Sequence, residues 1–343
     1  MNQNSIQQWS SYLEDIGIYP DLREQYIEYV KKCVRFGVPP IFERTHLSML
    51  TGRHLGDLMS MIFATEKFYR EFKLRKRSGG YRRILAPYPS LLEVQQWIKD
   101  NILSKYELQN CVTGFRDGYS IVDNARMHCG RDILIKIDIR DFFPSINFNQ
   151  IMGVFHKAGY ANNVCFYLSR LTTLDNQLPQ GAATSPSLSN IVCRNMDKRF
   201  LLLSKNHRLR YTRYADDISI SGKHISDGMI RLFFEIVESE GFRINTDKFR
   251  ILNANDKKIV TGLDISSGRP RVTREFRRDL QRDIYFVWSQ GLAAHIARRR
   301  IFFPNYVDHL TGRVNFWRSV EPESAQLKKV INRLKIIRSQ YMI

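Results

Sequence analysis

Three acidic residues have the types and positions needed to bind metal ions together. Asp216 and Asp217 are adjacent in TRYADDISIS, between strand-forming residues, and Asp138 ends the apolar run ILIKID. Adjacent acids at a hairpin tip are common in ordinary turns, because Asp tolerates turn conformations. An acid at the end of a buried strand, however, is costly unless it is paired or bound to a cation. We therefore predict that the three carboxylates meet around divalent metal.

The chemistry that such a cluster supports is phosphoryl transfer. Mg²⁺ is a hard cation that binds carboxylates together with substrate phosphates, and Mn²⁺ could substitute for it. Two such ions, about 3.5–4 Å apart, stabilise the attacking and leaving oxygens of an in-line displacement. The spacing of the acids in the sequence permits this site and does not by itself require it.

A run of small residues, LPQGAATSPSLSN (178–190), lies between the acidic positions. Gly181 and the two alanines after it could open a helix against which a flat substrate lies close to the backbone. The alternative is an ordinary helix start at Ser185-Pro186, because Pro is favoured in the first helical turn. The residues alone leave both interpretations open.

The chain as a whole is basic, with 53 Lys and Arg against 34 Asp and Glu in 343 residues, a net charge of +19. A hydrophobic content of 43% supports a packed core and excludes disordered, collagen-like and coiled-coil chains. Five scattered cysteines without a CxxC pair argue against a disulfide scaffold or structural zinc. No apolar run approaches the about 18 residues of a membrane span, and the N-terminus lacks a signal pattern, so we expect a soluble cytoplasmic protein.

The positive charge is concentrated near the C-terminus, where residues 269–343 contain 16 Lys and Arg against 6 Asp and Glu. A basic run is usually a solvated helix face, but here aromatic residues are interspersed, which favours a nucleic-acid-binding surface. The aromatic residues are Tyr285, Trp288, Phe302, Phe303, Tyr306 and Trp317. The arginines that we predict to contact nucleic acid are Arg274, Arg277, Arg278, Arg298, Arg299 and Arg300.

A mixture of isolated hairpins and helices must position these residues, which favours an α+β fold over a doubly wound parallel sheet. The predicted strands are 68–76 and 81–87 around the Ser78-Gly79-Gly80 turn, 131–139, two within 208–222, 242–252 and 257–265. The predicted helices occupy the first 65 residues, 90–106, 147–158, 161–173, 184–204, 225–240 and most of the C-terminal segment.

Four motifs, in this order, resemble the palm of reverse transcriptases, and two more strings resemble motifs of the bacterial retron reverse transcriptases. The palm motifs are IDIRDFFPS (137–145), LPQGAATSPSLSN (178–190), YADD (214–217) and GFRINTDKF (241–249), and the retron-type strings are NARMH (124–128) and VTG (260–262). The resemblance extends from about residue 40 to at least residue 265.

The resemblance implies a catalytic and metal-binding triad of Asp138, Asp216 and Asp217, assisted by the backbone carbonyl of Ile139. It also implies that the retron-type strings contact RNA or primer, through Asn124 and His128 and through Val260, Thr261 and Gly262. For Asn124 and His128, structural support of the fold is an equal alternative, because a lone His is more often structural than catalytic.

The resemblance further implies a set of dNTP-binding residues. Phe143 would be the steric gate that excludes a ribose 2′-OH, although it could be a core aromatic, as we expect of Phe142. Lys248 would lie near the leaving pyrophosphate as a general acid, unless it is an ordinary surface lysine. The full set is Arg82 for the triphosphate, Phe143, Gln180 beside the templating pair, Lys248, and the weaker candidates Lys73 and Arg75.

The fold that the resemblance implies is a right-hand polymerase with fingers, an antiparallel palm sheet carrying the Asp triad, and a helical thumb. The expected segments are an N-terminal helical extension (1–65), fingers (66–135), a palm (136–266) into which the helices of 147–205 are inserted, and a basic RNA-binding thumb (267–343).

The implied function is RNA-directed DNA synthesis from dNTPs on a cognate structured non-coding RNA of the msr–msd type. Synthesis would begin at the 2′-OH of an internal guanosine and give branched msDNA. The enzyme would act in a retron anti-phage defence system together with a separate effector or toxin protein, and we expect no membrane among its partners. Two alternatives stay open: a prokaryotic reverse transcriptase of another defence group or of group II intron origin, and an RNA-scaffold protein with a polymerase fold.

Overall fold

The computed structural model describes residues 3–75, 79–302 and 304–341, so Ser78 and Phe303 of the sequence analysis lie outside the described residues. The strands are β1 (Tyr69–Arg75), β2 (Tyr81–Pro87), β3 (Ile133–Asp138), β4 (Arg210–Tyr214), β5 (Asp217–Gly222), β6 (Arg250–Leu252), β7 (Ile259–Val260), β8 (Leu263–Asp264) and β9 (Arg271–Val272).

The helices fill the space between these strands and most of the C-terminal segment. They are α1 (Gln3–Asp15), α2 (Pro20–Phe36), α3 (Arg44–Thr51), α4 (Leu55–Phe63), α5 (Pro89–Asn101), α6 (Ile121–Met127), α7 (Phe142–Ser145), α8 (Phe148–Lys157), α9 (Asn162–Thr172), α10 (Ser185–Val192), α11 (Arg194–Asn206), α12 (Asp227–Ser239), α13 (Arg274–Gln290), α14 (Leu292–Arg299), α15 (Tyr306–Val320) and α16 (Ala325–Tyr341).

The central sheet is antiparallel and has the strand order β4-β5-β3-β6. Its middle strand β3 alternates in the way that a half-buried strand requires, because Ile135 and Ile137 are buried while Lys136 and Asp138 face the other side. The strands β4 and β5 form a hairpin whose turn carries Ala215 and Asp216. The two-residue period therefore directs Lys136 and Asp138 to one face of the sheet, at the end where that turn lies.

The α+β class and most predicted elements are confirmed, with three differences. The strand predicted over 257–265 is a hairpin of two short strands, β7 and β8, with its turn at Thr261 and Gly262. The strand predicted over 242–252 is confined to β6, because residues 246–248 form a 3₁₀ turn and only Ile244 pairs, in a single bridge with Ile139. The helix predicted over 184–204 is two helices, α10 and α11, that meet at Cys193.

Two hydrophobic cores hold the molecule together. The larger one runs from the N-terminal helices to the central sheet and includes Cys33, Leu58, Ile137 and Phe242. The N-terminal helices α2–α4 therefore pack into the same core as the sheet, although residues 1–65 were predicted to be an extension. The second core joins α13–α16 to the small sheet β7-β8-β9 and to Ala125 of α6.

The C-terminal helices bury part of the predicted aromatic surface. Trp317 is fully buried and Tyr306 is nearly so, because both belong to the second core, so they are not part of the exposed nucleic-acid-binding surface that was predicted. Tyr285, Trp288 and Phe302 are exposed. Within the described ranges, no helix is both long enough and apolar enough to cross a lipid bilayer.

Candidate active site

The three acidic residues lie at the same end of the central sheet. The register of β3 and β5 places Asp138 directly opposite Asp217. The backbone N–H of Ile139 donates to the carbonyl oxygen of Asp216 at 3.0 Å, which fixes the turn to the end of β3. Directly opposed residues on antiparallel strands have neighbouring side chains. The fold thus brings together acids that are 78 positions apart in the sequence, counted from 138 to 216.

Lysines partly neutralise this acidic cluster. Lys248 Nζ lies 3.0 Å and 2.8 Å from the two carboxylate oxygens of Asp138, and Lys136 Nζ lies 3.3 Å from Asp217 Oδ2. Lys136 reaches Asp217 because it precedes Asp138 by two positions on the same face of β3. Positive charge therefore already lies beside two of the three acids.

The pKa values of two of the acids reflect their burial and mutual repulsion. Burial raises the pKa of Asp216 above its ordinary value, and the nearby Asp138 carboxylate raises it further. Burial likewise raises the pKa of Asp217, while Lys136 acts in the opposite direction. Both effects indicate a site where an additional cation would be stabilised.

The donor atoms at this site suit a hard divalent cation, because they are carboxylate oxygens together with a free backbone carbonyl. Among the described residues, none donates a hydrogen bond to the Ile139 carbonyl. In the same part of the chain, no three acidic, His or Cys side chains converge closely enough to enclose a metal ion. Lys248 Nζ lies 2.8 Å from Asp138 Oδ2, so this contact would have to open for Asp138 to bind metal through that oxygen.

The small-residue run is fastened to the β1–β2 hairpin. The N–H of Leu85 donates to the carbonyl oxygen of Gln180 at 2.8 Å. Gly181 has a φ of +127°, and a Cβ at this position would lie 2.8 Å from Leu85 O and 3.0 Å from Ile84 Cγ2. Only glycine fits there without displacing the hairpin. The close approach expected of Gly181 is therefore to protein backbone.

The hairpin separates its cations onto two faces. Arg82 pairs with Leu74 and lies on the face of Ile84, the side chain next to Gly181. Lys73 pairs with Arg83, which places it, and Arg75 two positions later, on the opposite face. The two-residue period of the strand thus places Lys73 and Arg75 on the face of the hairpin away from Gly181, which favours Arg82 over these two weaker candidates.

An exposed aromatic residue that the sequence analysis missed lies beside the acidic turn. The Phe115 ring is 45% exposed, and its centroid lies 6.0 Å from that of Phe143 and 6.2 Å from that of Tyr214. Phe143 is half-buried at the surface of the core, whereas Phe142 is buried in it, as expected. Phe115 carries no signal in the sequence beyond a preceding glycine, since its position depends on the tertiary fold.

The Asn-Ala-x-x-His string ends α6, and its polar side chains face inward. His128 is 1% exposed and bridges β5 and β4, with Nδ1 2.7 Å from Ser221 Oγ and Nε2 2.8 Å from Thr212 Oγ1. Burial lowers its pKa to about 3, so the ring is neutral. Asn124 is also buried, and its amide has no hydrogen-bond partner among the described residues. These positions favour structural support over side-chain contact with RNA.

The Val-Thr-Gly string forms the tight turn between β7 and β8. Thr261 and Gly262 have φ values of 46° and 83°, as a two-residue hairpin of this kind requires. The Thr261 hydroxyl donates to the Ile121 carbonyl of α6 at 3.1 Å, while Val260 is buried in the second core. The turn thus packs against the helix that carries the other retron-type string, and Ala125 of that string shares the second core with Val260. Gly262 is required by the turn conformation, and its surroundings are open.

The predicted basic residues of the C-terminal segment lie at the start of α13 and the end of α14. Five are exposed and Arg277 is half-buried. Arg299 also pairs with the buried Asp283 at 3.2 Å, and Arg298 lies over the Phe286 ring. Outside the predicted set, Arg333 lies over the exposed rings of Tyr285 and Trp288, which forms a cation–aromatic surface on α13 and α16.

Comparison with known proteins agrees with this geometry. The profile of the family described as reverse transcriptase (RNA-dependent DNA polymerase) matches residues 74–276. The retron Ec86 reverse transcriptase of Escherichia coli is 31% identical over 290 residues, which cover 83% of this chain and 87% of that protein. The retron Mx162 reverse transcriptase of Myxococcus xanthus is 31% identical over 256 residues, which cover 64% of this chain and 53% of that protein.

Among solved structures, telomerase from Candida albicans in complex with a fragment of telomeric RNA aligns with a TM-score of 0.43 and 11% identity, over 79% of this chain and 63% of that one. The family assignment rests on the sequence matches. The reverse transcriptase profile covers more than half of the chain, and the Ec86 enzyme is matched over most of its length. The chain therefore belongs to the retron reverse transcriptases, which are RNA-dependent DNA polymerases.

Proposed function

We propose that this enzyme reverse-transcribes part of a cognate structured non-coding RNA of the msr–msd type, starting from the 2′-OH of an internal guanosine, and so makes branched msDNA. The observation that carries the proposal is the position of Asp138, Asp216 and Asp217 together at one end of the central sheet. The presence of the Asn-Ala-x-x-His and Val-Thr-Gly strings in the same chain supports the retron type. The reverse transcriptases of named retrons that the chain resembles support the same function.

Reverse transcriptases use divalent metal ions, and we assign Mg²⁺ to this one, with Mn²⁺ as a substitute. Asp138, Asp216, Asp217 and the Ile139 carbonyl would hold it, since all four supply hard oxygen donors. Bound metal would stabilise negative charge on the attacking hydroxyl oxygen and on the leaving pyrophosphate. The enzyme forms no covalent intermediate, so its own residues contribute chiefly by positioning the reactants and neutralising charge.

The remaining residues would hold the incoming dNTP. Arg82, on the hairpin face next to Gly181, would bind the triphosphate, and Gln180 would contact the nucleotide beside the templating base. Phe143 would act as the steric gate against a ribose 2′-OH. Lys248, once released from Asp138, would lie near the leaving pyrophosphate as a proton donor.

The RNA partner would be bound mainly through the basic C-terminal segment, with the Val-Thr-Gly turn near the primer. Its cations would contact phosphates, and an A-form duplex would be recognised by shape and backbone rather than by base reading. We further propose that the enzyme works in the cytoplasm with a separate effector protein in anti-phage defence.

The test is to co-express the chain with its neighbouring non-coding region, extract nucleic acid, and treat it with debranching enzyme, RNase and DNase. We expect a short DNA whose mobility changes on debranching and which is absent from the Asp216→Asn/Asp217→Asn variant. DNA without a branch would overturn the 2′-OH priming while leaving polymerisation intact. Bound RNA without any DNA would overturn the proposal in favour of an RNA scaffold.

A further inference from the structure

A fully buried ion pair lies behind the acidic turn. The guanidinium of Arg213, on β4, donates from Nε and Nη2 to the two carboxylate oxygens of Asp197, on α11, at 2.8 Å and 2.7 Å. Both side chains are 0% exposed. The Tyr211 hydroxyl also donates to Asp197 Oδ1 at 2.7 Å. The pair is therefore bidentate, and the carboxylate is satisfied by protein donors.

The third nitrogen of Arg213 connects this pair to the turn. Its Nη1 donates to the carbonyl oxygen of Ala215 at 3.3 Å and to Asn190 Oδ1 at 3.0 Å. Asn190 Nδ2 in turn donates to the carbonyl of Gly114 at 2.9 Å. A Cβ on Gly114 would lie 2.7 Å from the Ala215 nitrogen, so this segment lies directly against the turn.

The turn needs external support because its backbone is strained. Ala215 has a φ of 56°, in the left-handed region that is unfavourable for a non-glycine residue. The Arg213 guanidinium binds the carbonyl of this residue, and the neighbouring Asp216 carbonyl accepts from Ile139 at 3.0 Å. Two hydrogen bonds thus fix the peptide groups on either side of the position from which Asp216 projects.

Stability alone does not explain such a pair. Removing two charges from water costs several kcal/mol per ion, and well-packed apolar residues of similar volume are often at least as stable. The planar guanidinium of Arg213 binds partners on α11, α10 and the turn. Because its N–H donors point in fixed directions, it holds the turn at a fixed position relative to these two helices. Arg213 precedes Asp216 by three positions and touches no group of the acidic cluster.

We propose that Arg213, Asp197 and Asn190 are positioning residues that set the place of Asp216 relative to Asp138, and thereby the metal affinity and turnover of the enzyme. The proposal rests on the metal-binding function assigned above to the acidic cluster. None of the three residues contacts that cluster or needs to meet substrate. They act through the backbone of Ala215.

The main test variant replaces the pair by apolar residues, Asp197→Leu/Arg213→Met, which keeps the volume and removes both buried charges. Asn190→Ala is the second variant, because it leaves the Arg213–Asp197 ion pair intact and removes only the amide that links Arg213 to the Gly114 carbonyl. Arg199→Met is the matched control: Arg199 lies on the same helix α11 and pairs with Glu240 at 3.1 Å on the surface. Circular dichroism and thermal unfolding establish that each variant is folded at the assay temperature.

Two readouts separate positioning from stability. In primer extension we expect the double variant to lose about 10- to 100-fold in kcat, with KM for dNTP changed less than about threefold, because a misplaced ligand affects the reaction more than binding. Mn²⁺ binding, measured by electron paramagnetic resonance without substrate, should weaken about tenfold. Asn190→Ala should show the same pattern more weakly, and Arg199→Met should match the wild type in both readouts.

The proposal is overturned if a folded double variant keeps wild-type kcat and Mn²⁺ affinity, or if activity falls only in proportion to the unfolded fraction. Failure of the proposed function would look different. The wild-type protein itself would then show neither DNA synthesis nor Mn²⁺ binding that depends on Asp216, and this result would overturn both.

Discussion

At the scale of single residues, two acids of the active site form ion pairs with lysines. Lys136 contacts Asp217, and Lys248 contacts Asp138, in the positions where bound metal would supply positive charge. Lys248 is more than half exposed and can move away, whereas Lys136 projects from the middle of a central strand and stays beside Asp217. Lys136 should therefore influence metal affinity even in the working enzyme.

We predict that Lys136→Gln lowers the Mg²⁺ concentration that gives half-maximal DNA synthesis by about 2- to 5-fold. In the wild type, metal binding to Asp217 competes with its ion pair to the Lys136 ammonium group, and the energy of that pair is about 1 kcal/mol or less. The measurement is a Mg²⁺ titration of primer extension at saturating dNTP. Lys157→Gln, an exposed lysine at the end of α8, is the control. A raised Mg²⁺ requirement in Lys136→Gln would contradict the prediction.

The acidic residues themselves could be predicted from the sequence, since an acid that ends an apolar strand and a pair of acids between two strands both carry a local signal. The contact of Lys136 with Asp217 could not, because it depends on the register of β3 against β5. The network of Arg213, Asp197 and Asn190 was hidden for the same reason. Its members are separated in the sequence, and each resembles an ordinary surface residue.

At the scale of elements, the β1–β2 hairpin gives its cations different environments according to their face. We predict that Arg82→Ala raises KM for dNTP about 10-fold or more, because a charge-assisted contact with phosphate is worth about 1.5–3 kcal/mol. Lys73→Ala should change KM less than about twofold, since exposed charges away from a ligand contribute little. Steady-state kinetics with one dNTP varied would measure both, and equal effects would refute the separation of faces.

The helix α6 is joined to the central sheet by a neutral histidine, and this should make stability depend on pH. The pKa of His128 falls from 6.5 to about 3 on folding, so below about pH 6.5 the unfolded chain takes up a proton that the folded chain does not. The stabilisation is complete above this pH and is lost as the pH falls towards 3.

We predict that the wild type loses about 2 kcal/mol more of its free energy of unfolding than His128→Gln between about pH 7 and pH 5. Glutamine can bond to the same hydroxyls and does not titrate, which makes it the matched variant. Urea unfolding at the two pH values gives the difference. Parallel losses in the two proteins would show that His128 does not control this pH dependence.

The predicted elements agree with the structure where a hydrophobic period continues over a long segment. They differ where strand pairing or a local break in the chain determines the structure. The hairpin and the helices α8, α9 and α12 follow their hydrophobic pattern. Residues 246–248 interrupt the strand predicted over 242–252 with a 3₁₀ turn, and the flanking Asn245 and Lys248 bind Asp138. The run Asn-Thr-Asp is typical of turns, so the break carries a local signal, whereas the contacts with Asp138 depend on the tertiary fold.

At the scale of the whole molecule, the net charge of +19 predicts an RNA affinity that depends strongly on salt. If about 6–10 phosphates are neutralised, affinity should fall about 10³–10⁵-fold between about 50 and 200 mM salt. Arg274→Ala/Arg278→Ala should reduce the slope of log affinity against log salt by about 1.5, for two lost phosphate contacts. Fluorescence anisotropy with the cognate RNA would measure these slopes.

The control for this prediction is Arg44→Ala, an exposed arginine at the start of α3, far along the chain from the basic segment. Its slope should equal that of the wild type. An unchanged slope in the double variant would place the RNA contacts elsewhere, and the cation–aromatic surface of Arg333, Tyr285 and Trp288 would be the next to test.

The shared core of the N-terminal helices and the central sheet also has a consequence for how the protein is made. Cys33 of α2 lies against the segment at Gly159, about 125 residues later in the chain. At a synthesis rate of about 5–20 residues per second, α2 must wait about 6–25 s on the ribosome before this packing partner emerges. During that time its apolar face is exposed, so the yield of folded enzyme should depend on chaperones that bind nascent chains.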